Sequence, residues 1–221
     1  SPYSSASSFA LNPWFLDINK LIEEQYITLS NNEHIQSINQ NENHFDFDFA
    51  NTLSKKIGDY LLVNWESQSA ERKTDFQLWN KKNTWVEDFS IFMVIREKFN
   101  MLPWWEWPLE FKHKKNEFIK PLIKEKKDEI LKTKLIQWHL DQQWLEIKVF
   151  AKTKGIKLIG DLPFYVSRDS VDVWSNKSLF SISQNGDLLF QSGVPPDYFS
   201  STGQLWGTPT YYWAKHKRTN F

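Results

Sequence analysis

Residues 155–161 read GIKLIGD and follow a stretch with helical periodicity, so they mark the point that decides the fold class. Gly155 is the residue type that most often ends a helix in the left-handed backbone conformation. The apolar run at 156–159 has the length of a buried strand, and Asp161 stands at its carboxyl end. Helix, glycine, buried strand and loop in this order are typical of an α/β unit with a parallel sheet. We therefore predict a strand over residues 156–161, with Asp161 at the edge where α/β folds carry function.

The sequence before Gly155 predicts helices over most of residues 50–150. Its clearest feature is a stripe with spacings of four and three residues, which places its members on one helix face. We interpret this stripe as core packing. Its members are Leu131, Leu135, Trp138, Gln142, Leu145 and Val149. Residues 30–44, which are rich in Asn, Gln, Glu and Ser, predict an exposed loop, and the lysine runs at 112–115 and 124–127 predict solvated helix faces.

Residues 161–213 contain many glycines and prolines and predict a long irregular segment. Such a segment in a compact domain is usually functional. Inside it, QNGD at 184–187 predicts a hairpin turn between residues 180–182 and 188–190.

Composition excludes several functional classes. Lys+Arg and Asp+Glu both number 27, so net charge gives no reason to expect a nucleic acid or an anionic membrane as partner. The chain has no cysteine, which excludes disulfides and thiol catalysis and fits a cytoplasmic location. No apolar run of about 18 residues predicts a membrane span. The 12 Trp and 17 Phe predict a large aromatic core, or alternatively flat platforms for sugar rings, and composition alone favours the core.

The last third of the chain carries the most specific pattern. It reads GDLP at 160–163, DSVDVW at 169–174 and GVPPDYFSSTGQLWGTP at 193–209, with SPYSS at 1–5 and NP at 12–13 far ahead of them. This ordered set resembles the 4-α-glucanotransferase (amylomaltase, or disproportionating enzyme) family of the α-amylase clan. The resemblance covers essentially the whole chain. The sequence contains no Gly-rich phosphate loop, no HExxH and no metal-ligand spacing among its histidines that would indicate another chemistry.

The resemblance implies an α/β fold, namely a partial (β/α)₈ TIM barrel that contains only the leading strands, with a helical insertion subdomain. Residues 1–221 would form an incomplete catalytic barrel domain, in which residues 19–140 include the mostly helical insertion. Residues 156–213 would hold the third strand and the substrate-covering loop, whose mobile part is 193–207. Because the leading strands alone would leave open sheet edges, we expect the isolated chain to aggregate or to pack loosely.

The same resemblance implies transfer of α-1,4-glucan segments to the 4-hydroxyl of an acceptor glucose or maltooligosaccharide by a retaining double displacement, without a cofactor or metal. The nucleophile and the acid/base are expected beyond Phe221, so no catalytic residue is assigned and the isolated chain is predicted to be inactive. The implied partners are α-1,4-glucans and maltooligosaccharides, with no nucleic acid and no membrane. The implied substrate-binding residues are Trp14, Asp161, Pro196, Asp197, Tyr198, Phe199, Ser200 and Trp206. Trp14, like Leu11 and Thr208, departs from the residues frequent in the family.

Several alternatives stay open at this point. The chain could be a stand-alone glucan-binding module without catalysis, or a helical interaction protein whose aromatic residues only form a core. Tyr198 and Trp206 could contact sugar, or could be buried anchors of the loop. By the family pattern, Asp169 and Asp172 could position substrate or brace the loop. They could instead cap turns, and turn capping is favoured.

Overall fold

The computed structural model describes residues 4–28 and 46–219, so the loop predicted over residues 30–44 lies outside the described part. The chain divides into two compact units, which are described separately. The helical unit comprises Leu11–Ser90 and Lys127–Leu158. The hairpin unit comprises Ser1–Ala10, Ile91–Lys126 and Ile159–Phe221.

Helices dominate the described residues, which confirms the prediction for residues 50–150. In chain order the elements are α1 (Ile18–Glu23), α2 (Phe47–Trp65), α3 (Ala70–Lys82), α4 (Trp85–Lys98), α5 (Leu109–Lys112), α6 (Asn116–Glu125), α7 (Lys127–Thr153), α8 (Val171–Ser175), β1 (Gln191–Val194), β2 (Gln204–Pro209) and α9 (Trp213–Arg218). Single 3₁₀ turns lie at Pro13–Phe15, Trp104–Glu106 and Lys177–Leu179.

The core of the helical unit forms where α2 and α3 pack against α7. Asp46 and Ser69 accept hydrogen bonds from first-turn amides, so α2 and α3 both begin at capped residues. A Cβ on Gly58 would lie 3.1 Å from Ile136 Cδ1, so this glycine lets α2 approach α7 closely. The buried cluster consists of Leu16, Leu21, Ile27, Ile57, Tyr60, Leu61, Phe76, Trp79, Val86, Leu135, Trp138 and Leu140.

The stripe predicted along α7 packs into the core over only half of its length. Leu135 and Trp138 are buried, as predicted, and Leu131 packs against the same cluster. The prediction is wrong for the C-terminal half, where Leu145 is 49% and Val149 56% exposed. Exposed side chains surround the helix here, since Trp144, Ile147 and Phe150 face solvent as well. Periodicity identified the helix, but it could not show where along the helix packing ends.

The predicted end of α7 at Gly155 is confirmed. The prediction of a strand over residues 156–161 is wrong for the described structure. Gly155 has a φ of 71°, and the amides of Gly155 and Ile156 donate to the carbonyls of Lys152 and Ala151, which completes a glycine C-cap. Residues 156–161 have no strand hydrogen bonding in the structure, and their side chains are exposed. A strand needs a hydrogen-bonded neighbour and a surface to pack on, and the described residues place neither beside this run.

The core of the hairpin unit is aromatic. Phe92, Trp107 and Trp174 are almost fully buried, with ring centroids 5.3 to 5.9 Å apart. Each buried indole N–H has a carbonyl partner: Trp104 donates to Arg168, Trp107 to Leu102 and Trp174 to Phe111. The aromatic core favoured by composition is thus confirmed for this unit.

Residues 161–213 are more regular than predicted. Strands β1 and β2 pair antiparallel, with Gly193 opposite Leu205 and a register shift between Gln191 and Gly193. They form the one multi-residue sheet within residues 4–28 and 46–219. The predicted turn at 184–187 is present, with a single bridge between Ile182 and Leu188 instead of two full strands. The many glycines and prolines hid the β1–β2 pairing in the sequence.

Candidate functional site

The β1–β2 hairpin presents the loop in which most of the predicted site residues lie. Two glycines make its base possible. A Cβ on Gly193 would lie 2.3 Å from the Gln204 carbonyl oxygen, and one on Gly203 would lie 2.6 Å from the Val194 carbonyl oxygen. Gly203 also has a φ of 75°, which L side chains rarely adopt. The loop at 195–203 is therefore held by a narrow base that only glycine permits at these two positions.

Within the loop, Asp197 and Ser200 are joined by a local hydrogen-bond network. One Asp197 carboxylate oxygen accepts from the amides of Phe199 and Ser200, at 2.9 and 2.8 Å. The Ser200 hydroxyl donates to the Gly203 carbonyl at 2.8 Å. These contacts form a compact turn that fixes the backbone of the residues between them. Both side chains therefore support the loop, and direct contact with a sugar stays a prediction for them.

Tyr198 and Phe199 project from this turn into solvent. Tyr198 is 97% and Phe199 88% exposed, and their rings meet edge to face with centroids 5.5 Å apart. Tyr198 is therefore not a buried anchor within the part of the chain that the structure describes, and its contact with sugar stays a prediction. Two neighbouring aromatic faces on a braced loop form an apolar surface of the kind that stacks on sugar rings.

Trp206 lies on β2, and it is 45% exposed. Its Nε1 donates to Gln204 Oε1, and its ring lies 6.3 Å from that of Tyr165. Tyr165 in turn stacks on Tyr211 with centroids 6.0 Å apart. Burial is the largest cause that raises the pKa of Tyr211 above its usual value, followed by Tyr165 and Asp172. The phenol of Tyr211 is therefore a neutral hydrogen-bonding group near pH 7.

Tyr165 was missed from the sequence, since the irregular stretch around it gives no periodicity that would pair it with a residue 41 positions away. Tyr165 could have been found from its position directly after the GDLP segment at 160–163, because the family resemblance places the site residue Asp161 in that segment.

The remaining predicted site residues differ in their surroundings. Pro196 is exposed in the hairpin loop, and Asp161 is exposed in the stretch without helix or strand that precedes Tyr165. Trp14 belongs to the helical unit. Its Nε1 donates to Asn51 Oδ1 at 3.0 Å and its ring lies 5.5 Å from that of Phe47, which is itself 59% exposed.

Asp169 and Asp172 brace the hairpin unit instead of facing solvent as free carboxylates. Asp169 pairs with Arg96 at 2.8 Å and accepts from the Trp104 amide. Burial raises the pKa of Asp169, and Arg96 and the Trp104 amide oppose that rise. Asp172 accepts two hydrogen bonds from Ser8, which is 164 residues away in sequence. The prediction of local turn capping is wrong for both carboxylates, because their partners lie far away along the chain.

Among the residues that the structure describes, no group of three or more His, Cys, Asp or Glu side chains is arranged to hold a metal ion. No helix in the same residues has the length and apolar character needed to cross a bilayer.

Comparison with known proteins decides the family. A family model described as 4-alpha-glucanotransferase matches residues 1–221. The chain belongs to the 4-alpha-glucanotransferase family. The family shown by the comparison is the one that the motifs at 160–209 resemble.

Individual relatives agree with this assignment. The chain is 36% identical over 222 residues to a 4-alpha-glucanotransferase from Clostridium butyricum, and 31% identical over 235 residues to one from Thermus thermophilus. Both alignments cover 100% of this chain. They cover 45% of the Clostridium butyricum protein and 43% of the Thermus thermophilus protein. The chain therefore spans less than half the length of these 4-alpha-glucanotransferases.

The fold is shared with a solved member of the family. The chain superposes on the amylomaltase from Streptococcus agalactiae in complex with acarbose with a TM-score of 0.90 and 32% identity. The superposition covers 100% of this chain and 44% of that one. This similarity supports the fold class at the level of the α-amylase clan. The boundaries predicted at 19–140 and 156–213 stay predictions.

Proposed function

We propose that this chain forms part of the glucan-binding region of a 4-α-glucanotransferase. The enzyme transfers α-1,4-glucan segments to the 4-hydroxyl of an acceptor glucose or maltooligosaccharide through a covalent glycosyl-enzyme intermediate. The observation that carries the proposal is the pair of exposed rings of Tyr198 and Phe199 on a hairpin loop braced from within by Asp197 and Ser200. Family membership supports the reaction class.

The hairpin suits glucan for a physical reason. A glucose ring has apolar C–H faces and a rim of hydroxyls, so it binds where an aromatic face meets polar groups. Tyr198 and Phe199 supply the aromatic faces, and the Tyr198 ring carries a hydroxyl as a polar group. An aromatic ring loses few rotamers when it binds, which keeps the entropic cost low. Asp161, Pro196 and Trp206 are proposed as further glucan contacts in the hairpin unit, and Trp14 is proposed as a glucan contact in the helical unit.

Retaining transfer requires two carboxyl groups about 5 Å apart, one as nucleophile and one as acid/base. Following the family resemblance, we place both in the part of the family members that lies outside the 221 residues of this chain. The contacts of Asp169 with Arg96 and of Asp172 with Ser8 agree with bracing roles for these two carboxylates. Water competes with the acceptor sugar for the intermediate, so an aromatic loop over the site would favour transfer over hydrolysis.

Calorimetric titration with maltoheptaose tests the binding part of the proposal. Because the isolated chain is expected to aggregate or to pack loosely, the titration uses samples that light scattering shows to be monodisperse. Saturable binding that is lost in the double variant Tyr198→Ala/Phe199→Ala supports it. The matched control is Phe150→Ala, which removes an aromatic ring of 63% exposure from α7 and should leave the affinity unchanged. Equal binding by the hairpin variant and the unaltered chain would contradict the assignment.

Incubation of the same chain with maltotriose tests the catalytic part. The proposal predicts no glucose and no longer maltooligosaccharides. A stand-alone glucan-binding module would give the same result for this chain, and the two are separated by assaying the full-length protein, which only the transferase proposal predicts to be active. Turnover by the chain alone would show that its own residues include the catalytic pair.

A further inference from the structure

We propose that Gln137 and Gln143 on α7 are positioning residues, which hold residues 11–17 in the conformation that presents Trp14 to a glucan. This role rests on the glucan contact proposed above for Trp14, and it names the side chains through which the helical unit would maintain that contact. The two glutamines, residues 11–17 and Trp14 all belong to the helical unit.

Each glutamine uses both ends of its side-chain amide on the backbone of one residue. The Oε1 atom of Gln137 accepts from the Leu11 amide, and its Nε2 atom donates to the Leu11 carbonyl, both at 2.9 Å. Gln143 accepts from the Asp17 amide at 2.9 Å and donates to the Asp17 carbonyl at 3.0 Å. This pairing reproduces the double hydrogen bond between opposite residues of two antiparallel strands, so it fixes the backbone at Leu11 and at Asp17.

The two amide pairs lie at the two ends of one short segment. Both pairs join residues that are 126 positions apart, so the spacing of the glutamines along α7 equals the spacing of Leu11 and Asp17. Between these ends lies the 3₁₀ turn Pro13–Phe15, and the Trp14 amide donates to Asn12 Oδ1 at 3.1 Å. The segment is therefore fixed at both ends, with Trp14 at the centre of a tight turn.

The side chain of Trp14 is oriented from α2. Its Nε1 atom donates to Asn51 Oδ1 at 3.0 Å, and its ring centroid lies 5.5 Å from that of Phe47. These contacts limit rotation of the indole, but they require that the backbone of Trp14 stays at a fixed distance from α2. Phe15, the next residue of the turn, is 80% exposed. The turn thus leaves aromatic surface in solvent, as expected where a sugar ring binds.

Gln143 acts outside the apolar core. Leu16 is 7% exposed and already attaches the segment to the core, whereas Trp144, the neighbour of Gln143, is 40% exposed. The hydrogen bonds of Gln143 therefore direct the backbone of the segment without adding apolar packing. A binding residue that is held in its bound conformation before the ligand arrives loses less entropy on binding. We therefore expect Gln143 to affect glucan affinity more than folding.

Steady-state kinetics of the full-length enzyme with maltoheptaose test this role. Gln143→Ala should raise KM at least about threefold and leave kcat within about twofold, because a displaced Trp14 weakens binding of the substrate and of the transition state alike. Trp14→Ala should raise KM at least as much. In the double variant, Gln143→Ala should add nothing to the effect of Trp14→Ala, since it acts only through that ring.

Gln142→Ala is the matched control, because it removes the same side chain from the neighbouring, exposed position of α7. It should leave KM within about twofold of the value for the unaltered enzyme, as expected for a surface substitution. Gln143 is tested in place of Gln137 because Gln137 is 3% exposed. Removal of Gln137 would leave backbone groups of Leu11 without partners, and the variant could then fail to fold.

The positioning role is overturned if Gln143→Ala leaves KM unchanged, or if it raises KM equally with and without Trp14. Tyr198→Ala in the same assay separates this outcome from failure of the proposed function. If Tyr198→Ala raises KM while Trp14→Ala and Gln143→Ala do not, the hairpin contact stands and only the positioning role fails. If none of these variants changes KM or the products, the proposed glucan contacts fail in both units.

Discussion

The backbone amide and the hydroxyl of Ser8 both donate hydrogen bonds to the Asp172 carboxylate, at 2.9 and 2.7 Å. Beside them, the Val171 amide donates to the Ala6 carbonyl at 2.9 Å. These three bonds join the first described residues of the chain to the start of α8, within the hairpin unit. Hydrogen bonds to a charged acceptor are stronger than those between neutral groups.

We expect Asp172→Ala to lower the free energy of unfolding by about 1–2 kcal/mol, because Ser8 loses a charged acceptor for two donors. The partly exposed position keeps the cost at this level, since water can replace the lost partner. Urea unfolding followed by circular dichroism measures the change. Asp161→Ala is the control, since Asp161 is exposed in a stretch without helix or strand, and it should change stability by less than about 0.5 kcal/mol.

Gly203→Ala should disrupt the hairpin loop. The new methyl group would lie 2.6 Å from the Val194 carbonyl oxygen at a φ of 75°, so the backbone must move. We expect amides of residues 197–203 to lose protection from hydrogen exchange and the affinity for maltoheptaose to fall. Gly160→Ala is a matched control, because a Cβ there meets nothing within 4 Å. Unchanged exchange in Gly203→Ala would show that the loop does not depend on this glycine.

In the full-length enzyme, Tyr198→Ala should weaken glucan affinity or shift the products from transfer towards hydrolysis. The expected cost is about 1–3 kcal/mol, as for the loss of a packed aromatic contact. Because Tyr198 is 97% exposed in this chain, the same substitution should leave the thermal melting temperature of this chain unchanged. Chromatography of maltotriose products beside a thermal melt measures both quantities. A lowered melting temperature with unchanged products would make Tyr198 a structural residue.

His139 should make the stability of the helical unit depend on pH. The ring lies 4.4 Å from Tyr26 and 4.6 Å from Trp138, and burial, with a smaller contribution from Arg72, lowers its pKa from 6.5 to about 3. The unfolded state therefore takes up a proton below pH 6.5, while the folded state does so only near pH 3. The contribution of neutral His139 is complete above pH 6.5 and declines as the pH falls towards 3.

The loss amounts to about 2 kcal/mol at pH 5, on the scale of 1.4 kcal/mol for each pKa unit. Urea unfolding at pH 7 and pH 5 measures it, with His139→Gln as the comparison because its side chain does not titrate. Carboxylates contribute equally to both proteins, so the difference between the two pH profiles isolates His139. Parallel profiles would show that the protonated imidazole is accommodated in the fold.

The sequence predicted local structure well where a single residue type decides it. Gly155 ends α7, and the turn at 184–187 forms as its Asn-Gly pair indicates, because backbone conformation at these points depends on the residues themselves. It predicted the family from ordered motifs and placed Tyr198 and Phe199 in one loop. Both the family assignment and the placement of Tyr198 and Phe199 depend on short motifs, so neither required knowledge of contacts between residues far apart in sequence.

Features that depend on distant partners could not be read from the sequence. The strand at 156–161 lacks a pairing neighbour among the described residues, and its composition alone could not reveal that. Asp169 and Asp172 looked like turn residues, because Arg96 and Ser8 are 73 and 164 positions away. The β1–β2 pairing was hidden since glycine and proline indicate loops, although Gly193 is required there for close approach of two strands.

The two halves of α7 differ in local stability, because the N-terminal half packs into the core and the C-terminal half is mostly exposed. Residues up to Leu140 are held by the core. Trp144 to Thr153 bury only Ala151, and they depend mainly on the helix's own hydrogen bonds, on the cap at Gly155 and on the ion pair of Glu146 with Lys20. A helical segment of about ten residues is marginal in water when it has no tertiary packing. The helix should therefore fray inward from Gly155 without loss of the core, so opening here is a local fluctuation rather than the first step of global unfolding.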